Sequence, residues 1–63
     1  MEIDYQKAYR SLIDVLVDQR REVMKFKADK NNAKGQAQKI KELSDLIDAV
    51  SAAADDDKRR FGI

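Results

Sequence analysis

The 63-residue chain contains no cysteine, no histidine and no proline, and only two glycines. Without cysteine there is no disulfide staple and no thiol chemistry. Without histidine as well, the usual structural zinc sites are excluded, and carboxylates alone remain as metal ligands. The absence of proline removes the strongest helix breaker, while Gly35 and Gly62 stand near candidate boundaries, so long helices are favoured. Long hydrophobic runs are also missing: the longest apolar stretch is Val15–Val17, and the opening MEIDYQKAYR has no basic segment followed by an apolar run. The expectation is a cytoplasmic chain with no membrane span.

What is present is helical periodicity. Asp4 is placed to cap a first helix, its carboxylate accepting from an otherwise unpaired amide. Tyr5, Tyr9, Leu12, Leu16, Gln19, Val23 and Phe26 then recur at alternating steps of four and three residues, which is one face of a helix, and strand alternation is absent. Ile13, Val17 and Met24 widen this arc on one side and Val15 on the other, making it broader than a single partner helix covers. Ile40, Leu43, Ile47, Val50, Ala54 and Phe61 repeat the pattern in the second half, flanked by Leu46 and Ala53.

Between the two stripes, Lys30 to Gly35 interrupts the apolar pattern with residues suited to a left-handed or capping conformation; alternatively, Asn32 caps the second helix directly and Gly35 lies in its first turn. The chain thus reads as a single all-α domain, an antiparallel helical hairpin with a helix over about 4–31, a turn over about 31–35 and a helix over about 36–61. Each helix is then about 26 to 28 residues, or roughly 40 Å. Folding at the turn sets Phe26 near Ile40, Val23 near Leu43, Leu16 near Val50, Leu12 near Ala54 and Tyr5 near Phe61. Tyr9 approaches Asp57, to which its hydroxyl can donate; alternatively, both point into solvent at the frayed end.

A chain this short buries little apolar surface alone. The breadth of the arc therefore leads to self-association as a dimeric four-helix bundle, with Leu12, Leu16, Val23, Phe26, Ile40, Leu43, Ile47 and Val50 as the packing and dimerisation residues.

The formal net charge of +1 conceals a strong asymmetry. Eight basic and two acidic residues lie between Arg20 and Lys41, against five basic and ten acidic outside that span. This dipolar pattern favours a dimer whose basic turns lie against the acidic ends of the opposite copy. It also raises nucleic-acid binding through Arg20, Arg21, Lys25, Lys27, Lys34 and Lys41, which would meet phosphates without reading bases. No exposed aromatic cluster or recognition motif supports that reading, and a solvated charged surface is the commoner meaning of such a pattern. In outline, a paired hairpin resembles the small plasmid RNA-binding regulators built as dimeric hairpins; no motif is shared, so neither residues nor function carry over.

Catalysis has no recognisable constellation. Ser11, Ser44 and Ser51 lack a base and an orienting partner, there is no glycine-rich phosphate loop, and Asp55, Asp56 and Asp57 diverge around a helix instead of surrounding an ion. The sequence points to a non-enzymatic protein-interaction, assembly or regulatory module without a cofactor, for an unidentified protein partner.

Overall fold

In the computed structural model, which describes residues 2–62, the chain forms two α-helices, α1 over Tyr5–Val23 and α2 over Ala33–Phe61, packed side by side as an antiparallel hairpin. Helix α1 starts where expected: the Asp4 carboxylate accepts from the Lys7 amide at 3.0 Å, satisfying one of the amides that a helix start leaves unpaired.

It ends earlier than the periodicity implied. The amides of Met24, Lys25 and Phe26 donate to the carbonyls of Arg21, Glu22 and Val23, three residues back, tightening the last turn and closing the helix. Residues 24–32 then form the connection, held by a local knot. Asp29 Oδ1 accepts from the amides of Asn31 and Asn32, Asn32 Oδ1 accepts from the Asp29 amide, and Asn32 Nδ2 donates to the Lys27 carbonyl. Short polar side chains that bond nearby backbone compete with helix continuation. This is why a helix over 4–31 and a turn over 31–35 give way to a helix of 19 residues and a longer connection.

Asn32 directly precedes α2, and Gly35 lies in that helix's first turn, the alternative arrangement that the sequence allows. The Asn32 side chain is occupied by the connection and makes no capping bond to α2. None of the described residues has positive φ, so the reversal of direction needs no left-handed residue. At the far end, the Gly62 amide donates to the Lys58 carbonyl at 2.7 Å, and a Cβ on Gly62 would collide with that oxygen.

The seam in α2 follows the expected stripe: Gln36, Ile40, Ile47, Val50 and Ala54 are half-buried, and Leu43, at 3% exposure, is fully buried. In α1 the seam is turned by one residue. Gln6, Tyr9, Ile13, Leu16, Arg20 and Val23 line it, whereas Tyr5, Leu12 and Gln19 are exposed. Arg20 reaches across to donate to Ser44 Oγ at 3.3 Å, and Gln6 Nε2 donates to the Ala54 carbonyl at 2.9 Å. Tyr9 lines a hollow with Ser51, Ala54 and Asp55, and the polar contact across this end of the seam is the one from Gln6 to Ala54.

The core expected from sequence is therefore incomplete within the hairpin. Phe26 lies in the connection at 72% exposure, Leu12 is 48% exposed, and Phe61 is exposed on the last turn of α2. Leu43 alone among the described residues is fully buried.

Candidate functional site

The exposed apolar residues are not scattered. On α1, Tyr5, Ala8, Leu12 and Val15 are exposed at spacings of three and four, which places them along one line of the helix. On α2, Leu46, Ala49 and Ala53 do the same. Tyr5 and Leu12 each precede a seam residue by one position, Gln6 and Ile13; Leu46 and Ala53 likewise precede Ile47 and Ala54. Antiparallel helices are related by an approximate dyad perpendicular to their common plane, so an equal angular offset on both turns to the same side. The two apolar lines consequently share one broad face of the hairpin.

Two open hollows belong to this face. Tyr5, Ala8, Tyr9 and Leu12 line a shallow apolar one along α1. At the turn, Val23, Phe26, Asn32, Gly35 and Gln36 surround a hollow of about 380 Å³. A Cβ on Gly35 would meet nothing within 4 Å, so that glycine leaves open space rather than relieving a clash. Gln36 organises the hollow: its Nε2 donates to the carbonyls of Val23 and Phe26 at 2.9 and 3.0 Å, adding a second donor at the last residue of α1 and tying the connection to α2. Nothing in the apolar periodicity marks this glutamine, although it falls on the α2 stripe one turn before Ile40.

The opposite broad face is polar. By the same geometry it carries Arg10, Asp14 and Arg21 from α1 and Lys41, Asp48 and Asp55 from α2, all exposed.

Of the six basic residues expected to meet phosphates, two are engaged within the hairpin. Arg20 is half-buried and bonded to Ser44. Lys25 pairs with Glu22 at 2.8 Å. Arg21, Lys27, Lys34 and Lys41 are exposed and outside the ion pairs of the described residues, distributed around the turn end as a collar. The three ion pairs, Lys25–Glu22, Lys39–Glu42 and Arg60–Asp56, are local and exposed, and such pairs contribute little to stability.

Among the described residues, no group of three acidic side chains is arranged to hold a metal ion. No helix is long and apolar enough to cross a membrane. The chain matches no protein-family model, no curated protein and no solved structure.

Proposed function

We propose that the protein is a non-enzymatic assembly or regulatory module that self-associates as a homodimeric four-helix bundle and offers the charged exterior of that bundle to a protein partner. One observation carries the self-association. The hairpin exposes 5663 Å², whereas a compact monomer of 7.2 kDa exposes about 4,100 Å² by the usual scaling of surface with mass. A single layer of two helices accounts for the excess, since folded domains enclose a core between packed layers. A second copy supplies the missing layer.

Sedimentation over a wide concentration range tests the first half of the proposal: a concentration-dependent dimer is expected, and a persistent, cooperatively folded monomer overturns it. Affinity capture from the source cell tests the second half. A direct protein partner should be lost when exposed charges such as Arg10 and Asp48 are reversed, and should persist when the core is conservatively repacked. Failure to recover any direct partner in a sensitive experiment counts against the module.

A second reading rests on the collar of unpaired cations, Arg21, Lys27, Lys34 and Lys41, around the turn. It is a nucleic-acid-binding surface of low sequence preference whose affinity rises as salt falls. Titration against DNA and RNA at low salt tests it with Arg21→Glu and Lys27→Glu, which leave the Arg20–Ser44 contact in place. Affinity unchanged by these reversals and by added salt eliminates that surface.

A further inference from the structure

We infer that the broad face bearing Leu12 and Leu46 is the dimer interface, and that two copies stack on it with their turns at opposite ends. The inference rests on the self-association reading; it adds the surface and joins it to the orientation that the charge pattern favours.

The occupant follows from area and charge. The surplus exposure of about 1,500 Å² relative to a compact monomer exceeds the roughly 800 Å² that each partner contributes to a standard protein interface. The apolar side chains available to fill such an interface, Tyr5, Leu12, Val15 and Leu46, all lie on one broad face, on which Glu22, Lys39 and Glu42 gather toward the turn, while the other face carries charges along its length that are costly to cover. A self-complementary contact also asks nothing of an outside chain, because the same face serves both copies.

Charge selects between the two ways of stacking identical faces. A dyad along the helices puts both turns at one end, superposing spans that each carry eight basic and two acidic residues. A dyad across the helices separates the two basic spans and puts each over the terminal end of the other copy, where Glu2, Asp4, Asp55, Asp56 and Asp57 balance the five basic residues. Like charges brought together oppose association, and complementary ones steer it.

The crosswise dyad has a geometric consequence. It lays α1 on the second copy's α1 and α2 on the second copy's α2, each pair antiparallel. With hairpins 50 Å long in full overlap, the dyad passes between Leu46 and Ala49, at the middle of α2. Ala49 lacks bulk there and leaves room for the second copy's Leu46 to lie beside it. At either end, the hollow lined by Val23, Phe26 and Gly35 lies over the second copy's terminal aromatics, Tyr5 and Phe61, both exposed in the single chain.

The absence of cysteine makes the test direct, since one introduced thiol is the only thiol. Ala49→Cys lies near the expected dyad, Ala52→Cys lies away from the apolar face, and Lys27→Cys lies in the connection; all three positions are exposed, so the hairpin has no reason to unfold. Each variant is treated with a short bismaleimide cross-linker and resolved by size under denaturing conditions, alongside sedimentation of the unlabelled protein. The expected result is a sedimenting dimer that is captured efficiently through Ala49→Cys and poorly through the other two, and whose association weakens as salt is raised. A dimer captured through Ala52→Cys instead overturns the face and leaves self-association standing. Capture through Lys27→Cys without Ala49→Cys overturns the orientation. A protein that sediments as a monomer throughout overturns the self-association reading and this inference with it.

Discussion

The two broad faces of the hairpin are made from the same helices, yet one displays Tyr5, Leu12, Val15 and Leu46 and the other Arg10, Arg21, Asp48 and Asp55. The difference separates two tasks. The seam between the helices, centred on Leu43, defines the hairpin, while the residues one position away from it carry apolar surface that the hairpin leaves uncovered. Under the proposed self-association, fold and assembly lie on adjacent lines of the same helices, and substitutions can address them separately.

The sharpest separation comes from Leu43→Ala. It removes the fully buried side chain and is expected to cost about 2–5 kcal/mol of stability in chemical denaturation, as a core truncation does. A cost near zero would show that the seam is elsewhere. The combined Leu12→Lys and Leu46→Lys variant attacks the other line. Its self-association should weaken by at least about tenfold in sedimentation, each 1.4 kcal/mol lost being a factor of ten. Helicity at matched monomer concentration should change far less than in Leu43→Ala.

Two smaller effects sharpen the comparison at the turn. Gln36→Ala removes both bonds to the end of α1 and should lower stability by about 1 kcal/mol, the usual net value of a hydrogen bond that water can partly replace; amide exchange at the last turn of α1 checks it. Gly35→Ala adds a methyl into open space and removes the entropic cost of helical glycine, so thermal melts of the hairpin should show a gain of up to about 0.5–1 kcal/mol. The two substitutions move stability in opposite directions from neighbouring positions.

Helix α2 was readable because its apolar residues form a narrow stripe, Ile40, Leu43, Ile47, Val50 and Ala54, with one way to face a partner. Helix α1 offers two. A line through Tyr5, Leu12 and Gln19 is more apolar than the line through Gln6, Ile13 and Arg20, and hydropathy alone selects the first. The hairpin uses the second because long polar side chains can lie along a seam and place their polar ends where partners exist: Arg20 finds Ser44 and Gln6 finds the Ala54 carbonyl. Those partners come from the other half of the chain and have no signature in local periodicity. Phe26 misled for a different reason. It extends the apolar spacing of α1, but the knot formed by Asp29 and Asn32 ends the helix before reaching it. The exposed apolar line on α1, by contrast, follows from the excessive breadth of the arc, which was visible from the start.

That knot also bears on time. Its bonds join residues two to five positions apart, and closing so short a segment takes on the order of tens of nanoseconds. Pairings across the seam then lengthen steadily from the Gln36 contacts with the end of α1 to the Gln6 contact with Ala54, so each layer that forms shortens the search for the next. Such a chain can close like a zipper from the connection outward, without first searching for distant partners. Opening runs in the reverse order, and the terminal end is the part of the hairpin that parts first.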